Sequence, residues 1–257
     1  MLKGKKGLVL GLANDKSIAF AVSKRFVEEG AKVIGSYLND KSKNFIEPHT
    51  KNLGIQLVKC NIEQEGDLEN FVQQGVDQFT NIDFIVHSIA FANQKDLHGR
   101  VIDSSSEGFK EAIEVSAHSF AKFAKLVEPF MKKGGSAITM SYIGSEKVIP
   151  NYQLMGPVKA TLESLTRYMA NELGEKNIRV HAISPGPIAT RAASGIKEFN
   201  QMLEQAKLKS PLGRTVTTTE VANLAVFLCS DLSSGMTGQT IFVDAGCHLK
   251  WKKFFTM

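Results

Sequence analysis

Short apolar runs alternate with amphipathic stretches over almost the whole chain. "GLVLGLA", "AKVIGSY", "GIQLVKCNI", "IDFIVHSIA", "GSAITMSY", "NIRVHAIS" and "GQTIFVDAG" are apolar along their length, which predicts seven strands buried on both faces. Between them, apolar residues recur at three- and four-residue steps. "SIAFAVSKRFVEEG" predicts a helix ending at Gly30, and "EGDLENFVQQGVDQF" a second. Ser106 to Met131 predicts a long helix open to a break. Tyr152 to Leu173 predicts another, and "TTEVANLAVFLCSD" the last long one.

Strands separated by helices argue for one parallel sheet covered on both faces, an α/β doubly wound, Rossmann-like arrangement. No linker, repeat or low-complexity block interrupts the pattern, so residues 1–257 read as one domain. Right-handed crossovers gather the C-terminal strand ends on one edge, where ligands bind. The loops after Ala13, Tyr37, Asn61, Ser88, Tyr142 and Ser184 should meet there.

Composition narrows the picture modestly. A hydrophobic content of 43% supports a substantial core, and a charged content of 22% argues against disorder. The net charge of +5 reads as solvated lysines, with no nucleic-acid partner implied. Cys60, Cys229 and Cys247 are odd in number and form no CxxC, which suits a reducing cytoplasm and excludes a disulfide framework. No Cys/His cluster has metal-ligand spacing. "MLKGKKGLVLGLAND" mimics a signal peptide briefly, but its apolar run ends at Asn14-Asp15 and reads better as a first strand. No stretch is apolar enough for a membrane span.

The first strand-to-helix turn, "GLANDKSIA", is where a dinucleotide would bind. Small residues let backbone approach a pyrophosphate, and a helix N-terminus supplies free N–H groups. It is not GxGxxG: only Gly11 is glycine, with Ala13, Ser17 and Ala19 as small substitutes. Ser17 is a helix N-cap on either reading. Strand two ends "SYLND", with neither an acid for a ribose 2′-OH nor an arginine for a 2′-phosphate in place. Asp40, Lys41 and Lys43 follow as a solvated helix start. Asn61 sits where an adenine edge would lie. Ser88 and Ala90 are small enough to admit a ribose, and His87 reads as a satisfied strand histidine rather than a base.

"SYIGSEKVIPNYQLMGPVKA" holds Tyr142, Tyr152 and Lys159. On a helix, residues seven apart share a face but stand about 10.5 Å apart along the axis. Four positions before Lys159 is Met155, so the Tyr-x-x-x-Lys pair of a carbonyl reductase is missing. Moving the phenol away suits a conjugated substrate. Hydride goes to the β-carbon of a C=C–C=O system, charge develops on the distant oxygen, and a donor there stabilises the enolate. After strand six, "SPGPIATRAASGI" forces an irregular loop, and the segment near 190–210 is a natural substrate lid.

Together "GLANDKSIAFAV", "HSIAFA", "SYIGSEKVIPNYQLMGPVKA", "RYMANELG" and "ISPGPIATRAASGIK" resemble the bacterial NADH-dependent enoyl-acyl-carrier-protein reductases of type II fatty acid synthesis, a divergent branch of the short-chain dehydrogenases. The resemblance runs from Gly4 to about Gly246. It implies that Tyr152 stabilises the enolate, that Lys159 binds the NADH ribose, and that Tyr142 is a second active-site tyrosine. It implies a pyrophosphate turn at Gly11, Ser17 and Ile18 and an adenine pocket at Asn61 and Ile62. The nicotinamide side falls to Ile89, Ile188, Ala189, Thr190, Arg191 and Ala192, and Ala92 touches the acyl substrate. A homotetramer and a mobile loop over the substrate are further implications.

The chain departs from that pattern in places. Leu38 stands where many members have glutamine at the adenosine ribose, and Asn61 replaces an aspartate. Of the basic residues credited with docking acyl carrier protein, Lys197 matches. Asn200 and Gln201 replace the others, with Lys207, Lys209 and Arg214 nearby. The tail "KWKKFF" is expected to be a packed or frayed terminus. Two other readings stand beside the first: a short-chain reductase of ketones or alcohols, which Met155 opposes, and a non-catalytic NAD-binding protein, which retention of both tyrosines and the lysine opposes.

Overall fold

Leu8 and Leu10 leave the first strand on one face and Val9 on the other, and each finds a different core. The computed structural model describes residues 1–191 and 193–249, without the side chain of Ser194. The strands are β1 (Lys6–Leu10), β2 (Lys32–Tyr37), β3 (Gln56–Lys59), β4 (Phe84–His87), β5 (Gly135–Met140), β6 (Ile178–Pro185) and β7 (Thr240–Val243). They form one parallel sheet in the order β3-β2-β1-β4-β5-β6-β7. The strand order reverses between β1 and β4, the crevice in which doubly wound proteins bind ligands.

The helices are α1 (Ile18–Glu28), α2 (Asp40–Lys51), α3 (Asp67–Phe79), α4 (Gln94–His98), α5 (Ser106–Ile113), α6 (Ser119–Val127), α7 (Met155–Leu173), α8 (Phe199–Lys209) and α9 (Thr218–Cys229). On one face Leu8, Leu10 and Ile85 meet Phe71 of α3, Phe123 of α6 and Leu162 of α7. On the other, Val9, Phe84 and Val86 meet Phe26 of α1 and Val221 and Leu228 of α9. Completely burying one such side chain stabilises by about 1.5–3 kcal/mol. The seven strands and the two-sided core agree with the hydrophobic pattern.

Two local expectations are corrected, and the break left open after Ser106 is located. The strands stop short of the apolar runs: β1 ends at Leu10 and β4 at His87. Beyond β1 the backbone leaves the strand, with Gly11 N donating to Ser36 Oγ and Leu12 N to Ser36 O. The stretch from Ser106 is interrupted by a π turn at Glu114–His118. That turn sets Ser116 Oγ against the loop after β4, donating to Phe91 O at 3.0 Å and accepting from Phe91 N at 2.8 Å. Finally, α7 begins at Met155, not Tyr152. Asn151 (φ 62°) and Gln153 (φ 35°) are left-handed on either side of Tyr152, so no helix passes through it.

Candidate active site

The first turn is built for a close approach. Gly11 has φ +107°, and a Cβ there would meet Ser88 O at 2.4 Å and the Ile89 side chain at 2.6 Å. Only glycine lets the ends of β1 and β4 sit so near. Ala13 and Ile18 are half-buried beside it. Ser17 caps α1: its Oγ accepts from Phe20 N at 3.2 Å and donates to Asn14 O at 2.7 Å. The remaining N–H groups of that first turn have no helical partner, and they carry the positive end of the helix dipole.

The outer end of this crevice is formed by β2 and β3. Leu38 is exposed. Asn39 caps α2, accepting from Ser42 N at 3.0 Å, which sends Lys41 and Lys43 along the helix. Lys43 pairs with Glu47 at 3.7 Å and lies 6.0 Å from the Tyr37 ring. Asn61 makes an Asx turn with Glu63 N at 3.2 Å, and its own N–H is taken by Asp67 at 2.9 Å. Ile62 packs against the α3-side core.

After β4, Ser88 and Ile89 are half-buried, Ala90 is exposed, and Ala92 packs against the cluster that holds Tyr152. His87 is wholly buried. The Ser119 hydroxyl donates to Val115 O, which leaves it accepting from His87 Nε2–H at 2.7 Å. Nδ1 then accepts from Thr139 at 3.0 Å. Burial pushes the imidazole down to about 3, so it stays neutral. This is the satisfied histidine that the sequence suggested.

Tyr142 and Tyr152 pack edge to face, with ring centroids 4.8 Å apart and planes at 61°. Burial raises both phenols above the ordinary tyrosine range, so both are proton donors at neutral pH. The Tyr142 hydroxyl reaches Met202 Sδ at 3.4 Å. Lys159 is buried on α7, donating from Nζ to Met140 O at 2.7 Å. Desolvation pulls its ammonium down to about 8, against the charge of Glu163. Ser141 and Ser145 both donate to Glu163 Oε1, the second at 2.7 Å.

A cavity of about 190 Å³ opens beside Tyr142. Ile149, Pro187, Met202 and Ala206 give it apolar walls, and Asp244 and Cys247 lie at its other side. Asp244 accepts from Gly246 N, His248 N and His248 Nδ1, and His248 stacks on Phe242 at 4.3 Å. The segment before α8 is pinned across this cavity. His98 Nε2 donates to Gly195 O at 2.8 Å, and Asn151 donates to Lys197 O at 3.1 Å and to Glu198 at 3.3 Å. Ala189 and Lys197 are exposed, and Ile188 packs on the α1-side core. Thr190 Oγ1 accepts from Ala193 N, and Arg191 is exposed but partnered. Ala192 lies outside the described residues, as does the tail from Lys250.

The fold thus gathers Gly11, Ser88 and Ile89 at one crevice, and Tyr142, Tyr152 and Met202 at another. Tyr142 and Met202 line the cavity, whereas Tyr152, buried against the Tyr142 ring, and Lys159 do not. Ser36, Met202, Glu163 and the Asp244–His248 pair were not picked out from sequence. Ser36, Met202 and Glu163 act through contacts distant in the chain, the Asp244–His248 pair through a local one, and only the small polar residues flanking Tyr142 hinted at any of them. The donor set fits a dinucleotide: a glycine cradle that a Cβ would fill, a capped helix N-terminus, and a buried ammonium near the strand ends.

Comparison with known proteins agrees with this geometry. Residues 11–248 match the family described as enoyl-(acyl carrier protein) reductase. An NADH-dependent enoyl-[acyl-carrier-protein] reductase of Rhizobium meliloti is 40% identical over 249 residues, covering 96% of this chain and 92% of the relative. The Anaplasma phagocytophilum reductase, solved with NAD, superposes with a TM-score of 0.93 at 40% identity, over 98% of this chain and 97% of its own. The Bacillus cereus reductase, solved with NADP+ and indole naphthyridinone, gives 0.94 at 38% identity, over 97% and 98%.

Proposed function

The chain belongs to the enoyl-(acyl carrier protein) reductase family, and from that premise we propose that it reduces the C=C bond of trans-2-enoyl thioesters on acyl carrier protein, the last reductive step of fatty acid elongation. NADH supplies the hydride. The observation that carries this reading is the packed tyrosine pair, whose Tyr142 lines a cavity walled on one side by Ile149, Pro187, Met202 and Ala206, with Met155 where a carbonyl reductase would have its acid.

Each residue then has a task. Gly11, Ala13, Ser17 and Ile18 receive the pyrophosphate, and Leu38, Asn61 and Ile62 flank the adenosine. Ser88, Ile89, Ala90 and Ile188 to Arg191 form the ribose and nicotinamide side. Lys159 binds ribose hydroxyls as an ammonium. Tyr152 donates to the thioester oxygen as negative charge builds there, and its buried, protonated phenol suits that work. Tyr142 supports the Tyr152 ring and faces the acyl chain, with Ala92 on the other side. The segment near 190–210 closes over the substrate, and Lys197 meets the carrier protein.

The enzyme works in the cytoplasm as a homotetramer. No described helix is long and apolar enough to cross a membrane, and Val101, Ile102 and Phe109 are apolar side chains open to a subunit contact. Light scattering checks the assembly. Oxidation of NADH by enoyl thioesters, set against ketones and a blank without acceptor, tests the activity. Turnover only with the enoyl thioester supports the reading, and turnover only with ketones overturns it.

A further inference from the structure

Glu163 is a buried carboxylate that the reaction as described leaves unused. It stands one turn beyond Lys159 on α7, and its Oε1 accepts the hydroxyls of Ser141 and Ser145, on either side of Tyr142. We infer that Glu163 is a positioning residue for the reduction: it is a buried counter-charge one helical turn from Lys159, and its Oε1 fastens the Tyr142 turn to α7. The inference rests on the reading of Lys159 as the ribose ligand.

The electrostatic half follows from what faces Lys159. β5 offers the neutral Met140 carbonyl. β4 offers His87, held neutral by burial and by the Lys159 charge. The turn after β5 brings Tyr142 and Ser145, and the segment before α7 brings Tyr152, both phenols being protonated. Glu163 is the anion among these groups, and its charge raises the Lys159 pKa against desolvation. In a buried setting an opposite charge is weakly screened, so its removal is felt strongly.

The geometric half follows from the turn Ile143–Ser145. A Cβ on Gly144 would meet the Tyr152 ring at 2.5 Å, and one on Gly156 would meet Gly144 O at 3.0 Å. The turn is therefore wedged between the Tyr152 ring and the start of α7. The two hydroxyls on Glu163 hold it there from the other side.

Fluorescence titration of NADH across pH, with no enoyl substrate present, separates this role from a merely structural one. Wild-type affinity falls on a basic limb as Lys159 loses its proton. Glu163→Gln keeps an acceptor for both hydroxyls and removes the charge. It should move that limb to lower pH by about one unit while affinity on the acid side stays unchanged. Glu163→Asp withdraws the charge by one methylene, moves the limb part of the way, and serves if the Gln variant does not fold. Ser145→Ala leaves the limb in place but raises KM or lowers kcat for the enoyl thioester about fivefold through the loosened turn. A limb fixed in both Glu163 variants overturns the electrostatic role, even if they melt earlier. Unchanged Ser145→Ala kinetics overturn the geometric one. Absence of NADH binding by the wild type would instead overturn the cofactor reading itself.

Discussion

The ring of Tyr152 meets that of Tyr142 edge to face at 4.8 Å, although α7 starts only at Met155. The phenol nearest the lysine in sequence is therefore placed by an irregular turn, held by two left-handed residues, rather than by helical periodicity. The Tyr-x6-Lys spacing is a property of that turn. It frees the phenol from the axis of α7 and sets it behind the cavity beside Tyr142.

Replacing Tyr152 with Phe keeps the ring contact and removes the donor. Turnover of enoyl thioesters should fall about 10²-fold, the worth of one oxyanion donor, with NADH affinity near wild type. Steady-state kinetics with fluorescence titration of NADH checks this, and unchanged turnover removes Tyr152 from its role.

Lys159→Ala should act on the cofactor instead. An ammonium on ribose hydroxyls binds before the chemical step, so NADH affinity should fall further than in Tyr152→Phe. The wild-type affinity should also weaken as pH rises through about 8. Burial has lowered the lysine from its ordinary value, and the charged, binding form is the one lost at higher pH. Equal affinity in wild type and variant, or a flat profile across that range, contradicts the assignment.

Cofactor choice turns on the end of β2. Lys43 lies 3.7 Å from Glu47 and 6.0 Å from the centre of the Tyr37 ring, and Asp40 precedes both lysines. An exposed pair of this kind contributes little, of order 0–1 kcal/mol. NADH should be preferred to NADPH by at least about tenfold in kcat/KM, equivalent to ~1.4 kcal/mol. Parity at fixed ionic strength would mean that Lys41 or Lys43 turns inward.

Gly11→Ala should damage both fold and binding. Its Cβ would run into Ser88 O, a backbone atom that cannot swing aside. Strain of about 1–3 kcal/mol is expected, read as a lower melting temperature, together with loss of NADH binding. A variant with wild-type stability and affinity would show that the β1–β4 approach is looser than described.

The sheet was legible because buried parallel strands write themselves as continuous apolar runs, "GLVLGLA" and "IDFIVHSIA" among them. The pyrophosphate turn was legible because Gly11 and Ser17 carry local backbone signals. The π turn at Glu114–His118 was legible only as an open break in a long helix, since its Ser116 is paired with Phe91, 25 residues earlier. The start of α7 was misplaced for a related reason. Asn151 tolerates a left-handed turn but nothing in "PNYQLMG" announces one at Gln153, and Asn151 is also tied to Lys197 and Glu198, far along the chain. Glu163 escaped notice because an acid on an amphipathic helix reads as solvated until the fold buries it.

The central claim is that hydride goes to carbon–carbon unsaturation while the chain holds the developing charge on a distant oxygen. The most direct measurement uses NADH deuterated at the transferred position and a trans-2-enoyl thioester, with the product analysed by mass spectrometry and NMR. The account predicts a saturated thioester bearing one deuterium at the β-carbon. A thioester returned unreduced, alongside deuterium delivered to the carbinol carbon of a ketone substrate, would contradict it.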